Sequence, residues 1–95
     1  MQAKIEYNFS GKIWNGGWFF VSLPKDISYE IRKHLKWQEE GWGRMKATAI
    51  IEEIEWDTAI WFDTKQETYL LPLKADIRKK ARLALNDIIE VSIKI

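Results

Sequence analysis

The chain contains no cysteine, which excludes disulfides, thiolate nucleophiles and cysteine-ligated metals together. It holds one histidine, His34, and a lone imidazole lacks the partners that a metal site or a Ser–His dyad requires. Three positions after Ile31, His34 sits at the border of an apolar helix face and reads as structural. No apolar run approaches the roughly 20 residues that a membrane-spanning helix needs. Met1 to Ser10 alternates polar and apolar residues without an apolar core of about 7–15 residues, so no signal peptide is expected. Charge of one sign is also missing: fifteen basic side chains face fourteen acidic ones, leaving +1. A dedicated nucleic-acid binder normally carries a visible basic excess, so only a local basic patch stays open. Linkers, low-complexity stretches and composition shifts are absent, and residues 1–95 read as one soluble, cytoplasmic domain.

What is present is a folded core and a repeat. Hydrophobic residues make up 46% of the chain, which suits a globule rather than a disordered segment. An apolar run ending in Leu-Pro and leading into a short amphipathic helix occurs twice. The first copy is Phe19–Leu23, Pro24, then Asp26-Ile27; the second is Tyr69–Leu71, Pro72, then Asp76-Ile77, with two extra residues after the proline. From each isoleucine the apolar positions fall at helical spacing: Ile27, Ile31, Leu35 and Ile77, Ala81, Leu85.

The remaining segments carry the two-residue period of half-buried strands. Ala3, Ile5, Tyr7, Phe9 and Ile13 share one face of the first, with Gly11 marking a bend or bulge. Asn15-Gly16-Gly17 forms a hairpin turn, and Trp18–Leu23 reads as a strand covered on both faces. A helix over Ser28–Leu35, capped by Asp26 or Ser28, follows Pro24. Lys36–Arg44 is a loop. Met45–Ile51 and Ile54–Phe62 alternate cleanly around Glu52-Glu53, with Trp56 on the core side. Thr68–Leu71 is a short strand, Ala75–Ala84 a helix, and Ile89–Ile95 the last strand. Six strands and two short helices predict a mainly β (α+β) fold, a small closed six-stranded β-barrel, since closure leaves no unpaired edge.

Gly17-Trp18-Phe19, Leu23-Pro24, Gly41-Trp42-Gly43, Leu71-Pro72-Leu73-Lys74-Ala75 and Ile77-Arg78-Lys79 together resemble the DUF1905 family, a domain of unknown function. The resemblance runs over essentially the whole chain. It implies a small bacterial or archaeal β-barrel, found in some proteins beside a segment linked to bacteriocin protection, and it brings no assigned catalytic residues. Two departures stand out: Asn86-Asp87 replaces a Gly-Asp before the last strand, and Glu52-Glu53 replaces a glycine-bearing hairpin. In fold alone the chain also resembles the swapped-hairpin barrels of AbrB-type regulators, which close one barrel from two chains. Two copies of the strand–Leu-Pro–helix unit in one chain allow it to close alone.

Candidate functional residues are few. Glu55 and Asp57 lie two apart on one strand and point to one side, a spacing open to paired carboxylates or a hard cation; the ordinary reading is a solvated strand face. Lys74, Arg78 and Arg82 fall at i, i+4, i+8, which on a continuous helix makes a cationic stripe suited to phosphates or carboxylates. Trp37 and Trp42 lie in a glycine-containing loop near Arg44 and Lys46, placed either to stack on a ligand or to plug the open end of the barrel. Nothing supplies a nucleophile–base pair or a metal cluster, so no enzyme, cofactor or metal is expected. The expected function is a non-catalytic module binding a small anionic or aromatic ligand through Trp42, Arg44, Lys74 and Arg78. The alternative is a protein-interaction or nucleic-acid-binding domain like the AbrB-type regulators. The expected partner is thus a small molecule or a protein, with nucleic acid the weaker candidate and a membrane not expected.

Overall fold

The computed structural model describes residues 4–95; Ala3, expected on the apolar face of the first strand, lies outside the described residues. The elements are β1 (Glu6–Asn15), β2 (Phe19–Ser22), α1 (Lys25–Leu35), two short 3-10 turns (Lys36–Gln38 and Gly41–Gly43), β3 (Arg44–Ile51), β4 (Ile54–Asp63), β5 (Thr68–Pro72), α2 (Ala75–Lys80) and β6 (Ile88–Lys94). The strands close into a barrel in the order β1-β2-β5-β4-β3-β6, each neighbour antiparallel. The expected six-stranded barrel is therefore present, and one chain closes it.

The repeat goes deeper than the Leu-Pro pairs. β1-β2-α1-β3 is followed by β4-β5-α2-β6 in the same order. The two copies meet at β2 and β5, where Val21 pairs with Leu71, flanked symmetrically by Phe20–Pro72 and Ser22–Leu70. The Leu23 N–H donates to the Tyr69 carbonyl at 2.9 Å, and the Leu73 N–H to the Phe19 carbonyl at 2.8 Å. Each helix then opens alike: Ile27 N–H donates to Asp26 Oδ1 at 2.9 Å and Ile77 N–H to Asp76 Oδ1 at 3.0 Å. Leu23 thus corresponds to Leu73 and Asp26 to Asp76, with no insertion between them. This corrects the alignment on the prolines: Pro24 matches Lys74, and Pro72 matches Ser22. Pro72 ends β5, where a missing N–H does not interrupt a ladder.

The core is the filled barrel interior. Ile13, Val21, Met45, Ile51, Ile60, Tyr69, Leu71 and Ile93 are fully or almost fully buried, joined by Ile31 and Leu35 of α1 and by Ala81. Trp56 packs against this core as expected. Gly11 makes no bulge, since the β1–β6 register runs unbroken past it. A Cβ there would lie 2.4 Å from Val21 Cγ2, so the glycine serves close approach of β1 to β2.

Both helix expectations need correction. Neither Asp26 nor Ser28 caps α1, which begins at Lys25 directly after Pro24. Ser28 is instead buried inside the helix, its Oγ accepting the Tyr69 N–H at 3.0 Å and so tying α1 to β5. α2 stops at Lys80 rather than Ala84. Arg82 takes a left-handed φ of 55°. The Leu83 N–H then reaches back to the Arg78 carbonyl at 2.8 Å and the Arg82 N–H to the Lys79 carbonyl at 3.4 Å, a Schellman ending. The chain is drawn onward to β1, where Asn86 N–H donates to the Ile13 carbonyl at 2.9 Å. Leu85 is consequently exposed, and Lys74, Arg78 and Arg82 form no helical stripe.

Candidate functional site

The β3–β4 ladder sets out the site. Its pairs place Thr48 opposite Asp57, Lys46 opposite Ala59 and Arg44 opposite Trp61, and β6 places Lys94 beside Thr48. These residues alternate with the core-facing Met45, Ala49 and Ile60, so they line the outer wall of the barrel. Thr48 and Ala59 are short and nearly covered, and they form a floor. Long side chains rise around them: Lys4, Arg44, Lys46, Lys74 and Lys94, with Pro72 continuing the floor towards β5. The resulting concavity measures about 640 Å³. Trp61 stands at one end, 42% exposed. Its ring is steadied edge-on by Phe20 at 6.4 Å, which in turn contacts Trp14 at 5.2 Å.

Electrostatically the site is cationic with two local counter-charges. Glu40 holds Arg44 at 2.8 Å and lies 3.8 Å from Lys46. Asp57 is exposed and stands over the floor, its Oδ1 accepting from the Thr48 hydroxyl at 3.3 Å; that hydroxyl oxygen accepts from Lys4 Nζ at 3.1 Å. Among the described residues neither Lys74 nor Lys94 takes part in an ion pair. A concave wall with free ammonium groups, one carboxylate and a half-open indole can hold an anion and a flat ring together.

The residues singled out from sequence separate into two groups. Arg44 and Lys74, thirty positions apart in the chain, line the same concavity. Arg78 does not: its guanidinium lies 3.8 Å over the Phe19 ring and its Nε donates to the Leu73 carbonyl at 3.1 Å, bracing the β5–α2 junction. Trp42 is 98% exposed at a left-handed φ of 67°, outside the lining of the concavity. Trp37 is 72% exposed, so neither loop tryptophan plugs the barrel. Lys4, Asp57, Trp61 and Lys94 complete the wall. Asp57 was legible on the solvent side of an alternating strand, whereas the sequence left Trp61 free to face inward or outward; Lys4 and Lys94 were not legible, because only barrel closure brings them beside β3.

A second concavity of about 960 Å³ lies between α1 and the β4–β5 turn, lined in part by Tyr29, Arg32, Phe62 and Glu67. Three cations line it, Lys25, Arg32 and Lys33; Lys33 lies 5.8 Å over the Tyr29 ring, and Arg32 is engaged more closely. Arg32 lies 3.9 Å over the Phe62 ring and 3.2 Å from Glu39, and the buried Tyr69 hydroxyl donates to Glu39 at 2.8 Å. Burial first, and the Glu39 carboxylate second, push the Tyr69 hydroxyl well above the usual phenol range, with Arg32 opposing. This network fastens the loop after α1 to the barrel. Among the described residues no group of three or more histidine or acidic side chains is placed to hold a metal ion.

A family model described as Domain of unknown function (DUF1905) matches residues 2–93 of the 95-residue chain. The chain belongs to DUF1905. None of the curated proteins matches it. The two departures from the DUF1905 pattern leave the turns intact. Asn86 takes a φ of 73° and Glu52 a φ of 56°, so both stand in the left-handed region without glycine. Glu52-Glu53 still closes a two-residue hairpin between paired Ile51 and Ile54. No helix of the described DUF1905 chain is long and apolar enough to cross a membrane.

Proposed function

We propose that this domain is a non-catalytic binding module whose outer-wall concavity takes a small anionic ligand with a flat aromatic part. One observation carries the reading: Lys4, Arg44, Lys46, Lys74 and Lys94 converge around a low Thr48/Ala59 floor beside the half-exposed Trp61. The cations supply attraction and orientation, and the indole supplies a face for stacking. Arg44 and Lys74 carry the reading; Arg78 braces the fold and Trp42 stands outside the wall.

Titration with adenosine monophosphate, pyrophosphate, benzoate and uncharged adenosine, read by tryptophan fluorescence at low salt, tests it. A ligand joining negative charge to a ring is expected to bind most tightly, and Lys74→Ala with Lys94→Ala to weaken it. Equal affinity in that double variant, or binding of uncharged aromatics alone, overturns the reading.

A further inference from the structure

We infer that the occupant of this concavity is single-stranded nucleic acid, an inference that rests on reading the outer wall as the binding site. The wall is a composite surface. Lys46 on β3, Lys94 at the end of β6 and Lys74 at the start of α2 offer ammonium groups, whereas the exposed Asp57 carboxylate stands beside the Thr48 hydroxyl. A purely acidic ligand, such as a polycarboxylate or an acidic peptide, gains from the lysines but is repelled by Asp57. A nucleotide strand satisfies both: its phosphates face the lysines, and the amino groups of its bases donate to Asp57 as they do to Asp and Glu elsewhere.

The geometry favours an unpaired strand. Trp61 and Asp57 lie on one face of β4 four residues apart, roughly 13 Å at the usual strand rise. That spacing admits one base stacked on the indole and another over the carboxylate, with the backbone running along the lysines. A paired base cannot offer its flat face to Trp61, because its neighbours in the duplex already cover it. Sheet walls that combine a stacking ring with flanking cations hold single strands in this way. The balanced charge of the chain, +1 overall, supplies little long-range pull on a duplex, so affinity must come from this local patch.

The test uses the full chain with a fluorescein-labelled RNA hexamer, its perfect duplex, adenosine monophosphate, tripolyphosphate and a hexaglutamate peptide. The hexamer is expected to bind at least about tenfold more tightly than any of the others. With three lysine–phosphate contacts its affinity falls about 20-fold between 50 and 200 mM salt, from a slope of about −0.7 per contact. Trp61→Ala is expected to weaken it about 5- to 150-fold, the range for losing one stacked base, with Trp61→Phe restoring most of the affinity and circular dichroism confirming the fold of both. Tripolyphosphate or the monophosphate binding as tightly as the hexamer, with loss in Lys74→Ala, keeps the anion site and overturns the nucleic-acid occupant. A duplex or hexaglutamate binding as tightly overturns it too. No binding of any probe overturns both this inference and the site reading.

Discussion

Replacing Tyr69 by phenylalanine isolates the hydrogen bond that fastens the loop after α1 to the barrel. Tyr69 is fully buried and its hydroxyl donates to Glu39 at 2.8 Å. A hydrogen bond to a charged group contributes about 1.5–3 kcal/mol. Arg32 still pairs with Glu39 at 3.2 Å in the variant, so the lower end applies, about 1.5 kcal/mol. In a domain of this size each kcal/mol moves the melting temperature by about 4–8 °C, which puts the expected loss at about 6–12 °C. The alkaline limb gives a second, independent reading. The folded Tyr69 holds its proton far above pH 10, where the unfolded chain releases it. The stability linked to that proton is therefore complete below pH 10 and is lost as pH rises towards the folded pKa. Between pH 10 and 11 the native protein loses about 1 kcal/mol through Tyr69, and the phenylalanine variant does not. Burial and Glu30 also raise the Tyr7 hydroxyl, but that group is present in both proteins and cancels. Urea denaturation of the pair at pH 7, 10 and 11 is the assay. A gap that is about 1.5 kcal/mol at pH 7, about 1.1 kcal/mol at pH 10 and almost closed, to about 0.1 kcal/mol, at pH 11 supports the reasoning. Equal stability at pH 7, or a gap independent of pH, refutes it.

Three other outcomes follow from the same contacts. Ser28→Ala strands the buried Tyr69 N–H that Ser28 Oγ now accepts at 3.0 Å, and should cost about 1–3 kcal/mol in urea denaturation. Arg82→Gly relieves a left-handed residue at φ 55° and should stabilise by about 1 kcal/mol, read as a rise in melting temperature. Glu40→Gln frees Arg44 from its 2.8 Å ion pair and should tighten binding of an anionic ligand several-fold in a fluorescence titration; weaker binding would count against a role for the cationic rim.

Much of the fold was legible because it rests on local pattern. Met45–Ile51 and Ile54–Phe62 alternate so regularly that their strands and the hairpin between them follow directly from the residues. The helix ends were less legible. Ser28 looks like a cap by residue type, yet its partner Tyr69 is brought to it by tertiary packing. Arg82 ends α2 in a conformation usually signalled by glycine, and arginine gives no such signal. The repeat was visible, but the paired prolines drew the alignment two residues out of place; the hydrogen bonds of Leu23 and Leu73 restore it. The site was legible only in part. Arg44, beside the loop tryptophans in sequence, and Lys74, at the head of the basic i, i+4, i+8 series, meet on one wall, whereas Arg78 carries the same charge but lies over the Phe19 ring. Lys4 and Lys94 join the wall through barrel closure, a non-local event that no short window of sequence displays.

On the proposed function, an anionic ligand binds the outer wall of β3 and β4. Six tryptophans give six indole N–H signals in a proton–nitrogen correlation spectrum, and they are distributed over the molecule. Titration with adenosine monophosphate and then with the RNA hexamer should shift the Trp61 indole and the backbone amides of Lys46, Thr48 and Ala59, and leave the Trp37 and Trp42 indoles in place. Shifts centred on Trp42 and Arg78, or on Tyr29 and Phe62 beside α1, would contradict the account, as would a spectrum that neither ligand changes.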